Sequence, residues 1–91
     1  MTSLIGALVE SISGRDKGEI FAVIAQSEPY LILANGRKRR IETPKQKKSK
    51  HVTFLGTYLS DDEVLMLKRG EITNKMLYRT IKERLKDSQS I

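Results

Sequence analysis

Cysteine is absent from this chain, which excludes disulfides and thiolate metal sites and fits a reducing compartment. Histidine occurs once, at His51, and a single imidazole without thiol partners is a poor basis for a metal centre. No apolar run approaches the ~20 residues needed to cross a bilayer. The stretch from Met1 to Ile12 lacks a basic leader and carries Glu10, so it is a poor secretory signal. These absences predict a soluble, cytoplasmic protein with no membrane partner. Aromatic side chains are few and scattered, two Phe and three Tyr, which argues against a sheet that reads splayed bases by stacking. No segment fits the phosphate-loop pattern G-x-x-x-x-G-K-[ST], and no nucleophile–base pair or metal-ligand spacing stands out. The expectation is therefore a binding protein, not an enzyme, with no cofactor and no metal.

What the chain does contain is positive charge, and it is concentrated. Of 91 residues with a net charge of +6, the fourteen from Arg37 to Lys50 hold eight basic groups: Arg37, Lys38, Arg39, Arg40, Lys45, Lys47, Lys48 and Lys50. They hold one acid, Glu42, for a local net of +7. The rest of the chain is close to neutral. A solubility surplus would be spread out, whereas a local one is the footprint expected for a polyanion. Lys and Arg make charge-assisted hydrogen bonds to phosphate, and each phosphate neutralised releases condensed counterions. The competing reading is a solvated basic loop.

The length suits one domain with one modest core. Residues 4–12 read as a first strand. Ser13-Gly14-Arg15-Asp16-Lys17-Gly18 reads as a turn bracketed by two glycines that tolerate positive φ. A second strand over 19–26 is apolar on both faces, so it must be covered on both or bend sharply. A third spans 30–34. Asn35-Gly36 predicts a type I′ hairpin leading into a fourth, basic edge strand over 37–42 anchored by Ile41. Pro44 ends it, 45–50 reads as a loop, and His51–Gly56 as a fifth strand with Phe21 and Phe54 in the core. Ser60 and Glu63 have capping-box spacing. Lys68, Arg69 and Gly70 close that first helix. Thr73 or Asn74 caps a second helix to about Asp87 with Leu77, Ile81 and Leu85 as its apolar stripe and a frayed tail over 88–91. Lys75, Arg79, Lys82 and Lys86 line a basic stripe beside it, read as the solvated face of a packed helix. The acids Asp61, Asp62 and Glu63 are read as helix-dipole partners and not as a metal cluster.

The run from Val9 to Gly18, with Phe21-Ala22-Val23-Ile24 behind it, resembles the KOW motif of large-subunit ribosomal proteins and their bacterial relatives. Asn35-Gly36-Arg37-Lys38-Arg39 resembles that family's second hairpin. Thr43-Pro44-Lys45-Gln46-Lys47-Lys48-Ser49-Lys50-His51 resembles its basic segment, with Ser49 where Asn is more usual. The resemblance spans about residues 5–52. It implies a mainly β fold: a five-stranded SH3-like small barrel over 1–57, carrying a basic hairpin and loop at 37–51, then two short helices over 58–91 packed on it. It also implies RNA, in particular ribosomal RNA, as partner and association with ribosomes, with ribosomal proteins as neighbours; the chain itself is expected to be a monomer. Arg15, Lys17, Arg37–Arg40, Lys45, Lys47, Lys48, Lys50 and His51 are the expected RNA contacts. Gly14, Asp16 and Gly18 form the motif turn. The alternative from another class is a protein-interaction module of the transcription or translation machinery, since KOW domains also occur in elongation factors.

Overall fold

A computed structural model of the chain describes residues 3–89. Five strands, β1 (Ala7–Ser11), β2 (Ile20–Ser27), β3 (Tyr30–Ala34), β4 (Lys45–Lys48) and β5 (Val52–Tyr58), form one antiparallel sheet in the order β4-β3-β2-β1-β5. Two helices follow, α1 (Asp61–Lys68) and α2 (Asn74–Gln89). The expected mainly β fold with C-terminal helices is therefore present. The sheet is open: β4 and β5 are its two edges, and no ladder joins them among the described residues. No helix among those residues is long and apolar enough to cross a membrane. Ser90 and Ile91, part of the expected frayed tail, lie outside the described residues, while α2 runs on to Gln89.

The sheet buries apolar side chains on both faces, as the two-sided pattern of β2 demands. Val9, Phe21, Val23, Leu31, Leu33 and Val52 form one core with Ala7. Leu8, Ala22 and Ala34 point the other way and meet Leu59, Ile72, Leu77 and Ile81 from the C-terminal part of the chain. Register shifts between Ala7 and Val9 and between Val23 and Ala25 mark irregularities in two ladders. Such extra residues bend a strand and increase its twist, which helps one short sheet to wrap a core.

The helices begin and end as their sequences require. Ser60 accepts from the Glu63 amide at 3.1 Å while Glu63 accepts from the Ser60 amide at 2.7 Å, a reciprocal capping box. Thr73 Oγ1 accepts from the Met76 amide and caps α2. Leu77 and Ile81 are buried, and Leu85 packs against them. Arg84 of α2 reaches Glu63 of α1 at 2.7 Å and ties the two helices together.

The expected fourth strand is misplaced. Residues 37–42 are turns and bends, and β4 is Lys45–Lys48, the segment expected to be a loop. Among the described residues no non-glycine residue has positive φ, so Asn35-Gly36 is not a type I′ turn. Instead the Asn35 side chain accepts from the amides of Arg37 and Arg39 at 3.1 and 3.0 Å, curling the chain before it can extend. Gly36, at φ 79°, lies so close to the backbone of Asn74 that a Cβ would strike it. Residues 35–44 thus form a broad loop sewn to α2, and Ile41 packs into the helix-side core. Phe54 also departs from expectation: it is 42% exposed, because β5 is an edge strand that is paired only with β1.

Candidate nucleic-acid interface

β1 ends, and β2, β4 and β5 begin, at the same end of the sheet, where the β1–β2 turn and the loop 35–44 converge. The turn is closed by Gly18 N to Ser11 O at 2.9 Å and Ser11 N to Glu19 O at 3.0 Å. Gly14 and Gly18 both adopt the positive φ expected of them, 83° and 92°. This geometry sends Asp16 inward and Arg15 and Lys17 outward.

Asp16 gathers the strand-borne lysines. Lys45 and Lys47 lie opposite Leu33 and Leu31, so their stems lie on the face that holds the Phe21 core, while Gln46 and Lys48 are exposed. Lys47 is only 9% exposed. Its ammonium donates to Asp16 Oδ1 at 2.6 Å, Ser11 Oγ at 2.8 Å and the Ser13 carbonyl at 2.8 Å. All three of its donors are used. Lys45 forms an ion pair with Asp16 Oδ2 at 2.8 Å, and the Ser11 hydroxyl donates to Oδ1 at 2.8 Å. Burial alone would raise the Asp16 carboxyl. Hydrogen bonds from Lys45, Lys47 and Ser11 and the charge of Lys47 outweigh it and hold the group far below the usual carboxylate range. Of the expected RNA contacts, Lys47 is thus fastened inside the molecule, while Lys45, 28% exposed, is tied to the same carboxylate at the surface.

The other expected contacts divide by their partners. Lys38 pairs with Glu19 at 2.6 Å and Arg40 with Glu42 at 3.1 Å. Both pairs are exposed on the cation's side, where solvent and salt screen the attraction. A hydrogen bond from Asn74 holds the Glu42 carboxyl below its ordinary range, with burial opposing and Arg40 assisting. Arg37 donates to Tyr78 Oη at 2.6 Å and sits over the ring at 5.2 Å. Arg15, Lys17, Arg39, Lys48 and Lys50 carry no carboxylate partner among the described residues. Arg15 and Arg39 come from different connections yet face one hollow of about 300 Å³, with Lys38 and Lys45 on its wall and Phe21 beneath.

Lys48 and Lys50 stand apart from that hollow. Lys48 is opposite Tyr30 at the far end of β3, and the 3₁₀ turn Ser49–His51 starts with Ser49 N on Pro29 O at 3.2 Å. That turn returns to the motif end where Ile12 N donates to His51 O at 3.0 Å. The single basic run of the sequence is therefore split: an inward pair on Asp16, an outward group around Arg15 and Arg39, and a flank at Lys48, Lys50 and His51. Sequence reasoning missed Glu19, Asn74 and Tyr78, which tether the loop. The period-two alternation of Lys45-Gln46-Lys47-Lys48 was the available signal that two of these lysines face a core. Among the described residues no group of three or more His, Asp or Glu could hold a metal ion. No family model matches the chain and no curated protein matches it, so its function has to be argued from this geometry.

Proposed function

We propose that the protein is a cytoplasmic, monomeric RNA-binding module that grips the phosphate backbone of structured RNA, ribosomal RNA in particular, with the motif end of its sheet. The observation that carries this reading is the convergence of Arg15 and Arg39 on one hollow, with Lys17 exposed on the turn that carries Arg15 and all three without a carboxylate partner among the described residues. Lys38 and Arg40 join them when phosphate replaces Glu19 and Glu42. Positive groups on loops held by a rigid scaffold position a nucleic-acid backbone without reading bases, and the sparse aromatics favour shape over stacking.

The KOW resemblance belongs to this proposal, and so does the small SH3-like barrel. Two features support the barrel. Only a single 3₁₀ turn separates the edges β4 and β5 along the chain, and Lys47 of β4 reaches across to Ser11 at the end of β1. A non-enzymatic role is favoured because the carboxylates with displaced pKa values, Asp16, Glu42 and Glu63, are all engaged by cations, Asn74 or a helix cap. Association with the ribosome or its assembly, with ribosomal proteins as neighbours, follows from the same reading.

A salt titration tests it. Binding of a folded ribosomal RNA fragment should weaken with rising salt, and Arg15→Ala/Lys17→Ala/Arg39→Ala should flatten the log–log slope by about 2 to 3. An unchanged slope, or equal competition by duplex DNA of the same charge, sinks the proposal.

A second reading has one observation in its favour. Edge strand β5 presents Phe54 and Tyr58 at 42% and 52% exposure, as a protein-interaction module would. Tight binding to a protein partner that Phe54→Ser abolishes, with RNA binding absent, would favour it.

A further inference from the structure

The α2 stripe Lys75, Arg79, Lys82 and Lys86 lies outside the basic segment 37–50. Among the described residues none of the four is in an ion pair, and all four are exposed. Spacings of four, three and four residues keep them on one face, opposite the buried Leu77 and Ile81. At 1.5 Å per residue the row is about 16 Å long. Together with Tyr78 and Glu83 they line a shallow hollow of about 430 Å³, in which Glu83 is the one carboxylate.

The loop 35–44 fuses this row to the motif end. Asn74, the first residue of α2, accepts from Ile41 N at 2.8 Å and donates to Glu42 Oε1 at 2.5 Å. Tyr78 takes the Arg37 guanidinium on its hydroxyl, with Arg37 and Lys82 5.2 and 5.4 Å from the ring centroid. Arg37 therefore continues the helix row as a fifth cation. A further hollow, between the β1–β2 turn and α2, shares Glu19 with the Arg15–Arg39 hollow and Tyr78 and Lys82 with the helix. The two basic surfaces thus adjoin across a largely apolar hollow whose charged groups are Glu19 and Lys82.

We propose that α2 and Arg37 form a second phosphate track and that its occupant is the backbone of a double-helical RNA segment. This rests on the RNA reading above and extends it. Charge complementarity selects a polyanion. The ring of Tyr78 is half-buried and already holds two cations, Arg37 and Lys82, with which an unstacked base would have to compete, and stacking is what single-strand binders use. A straight row on a rigid helix fits the regular backbone of a duplex, which is recognised through shape and phosphate.

The test compares two variants of the full chain on two RNAs, a hairpin with a stem of roughly 16 base pairs, the span one double-strand-binding domain covers, and a single strand of equal length. In Lys75→Gln/Arg79→Gln/Lys86→Gln the thermal midpoint should stay at the wild-type value, because these side chains are exposed and leave the core and the Tyr78 contacts untouched. Its hairpin salt slope should fall by about 2 to 3, and its single-strand slope should change by less than 1. Wild-type hairpin binding by this variant, with loss in Arg15→Ala/Lys17→Ala/Arg39→Ala, overturns the track and leaves the motif-end reading standing. The opposite pattern keeps the track and removes that reading. Equal losses on both RNAs, or displacement of the hairpin by polyglutamate at matched charge, overturn a duplex partner, the latter in favour of an acidic protein.

Discussion

At the scale of single residues, Asp16 is a carboxylate held among the cations of a basic surface, and its removal leaves Lys47 nearly buried and short of its counterion. Asp16→Asn is expected to cost about 1.5–3 kcal/mol, the range for a hydrogen bond to a charged group, measured by urea unfolding. Adding Lys47→Met should return part of that loss, because the pair matters more when half of it is gone than when both halves are. The pH dependence follows from the direction of the shift. The Asp16 carboxyl is depressed in the folded protein, so its contribution is complete above the unfolded value of about 3.9 and is lost as pH falls toward the folded one. Wild-type stability should therefore decline on acidification below about pH 4, and Asp16→Asn should flatten that decline without abolishing it, since Glu63 is depressed as well. Gly36 makes a different kind of demand. Gly36→Ala combines positive φ with a collision against the Asn74 backbone, and is expected to cost about 2–4 kcal/mol. Chemical shifts of α2 should move with it, because loop and helix meet at that glycine.

At the scale of elements, what could be read in advance depended on whether local chemistry decided the outcome. The capping box at Ser60 and Glu63 is a bonding pattern complete within four residues, and it forms as its spacing requires. Ser60→Ala is expected to cost about 1 kcal/mol, read as a lower thermal midpoint. The Gly14–Gly18 turn and the Leu77–Ile81–Leu85 stripe were legible for the same reason. The fourth strand was not. Asn35-Gly36 is a strong local hairpin signal, but tertiary bonds from Asn74 and Tyr78, more than thirty residues away, hold the following segment in a loop. β4 itself carries three lysines and a glutamine, a composition that conceals a strand. Only the stems of Lys45 and Lys47 face a core, a snorkelling arrangement that becomes visible once Asp16 is found between their ammonium groups. The candidate site was legible as a segment and illegible as a surface, because pairing with Asp16, Glu19 and Glu42 depends on which chain ends meet.

At the scale of the whole molecule, the sheet has two apolar faces, and the helices are what covers one of them. Leu8, Ala22 and Ala34 are fully buried only with Leu59, Ile72, Leu77 and Ile81 against them. A division after residue 57 marks a change from strands to helices along the chain, yet the second core straddles it. A small domain holds only about 5–15 kcal/mol in total, and Leu77→Ala alone should remove about 2–5 of it. The chain is therefore expected to unfold in one cooperative step, with circular dichroism of the helices and Tyr fluorescence giving the same midpoint. A shortened chain ending at Tyr58 should show no cooperative transition and should bind apolar dye, because its bare face includes Leu8 and the half-buried Ile20 and Ile24. If that fragment melted sharply and kept the salt-dependent RNA affinity of the full chain, the first core would suffice by itself and α2 would be free to move relative to the motif end. Arg37 could not then align with the helix row, and the two basic surfaces would adjoin only part of the time. The unity of the two cores is thus the mechanical condition for the extended interface, and the fragment's melting curve decides it.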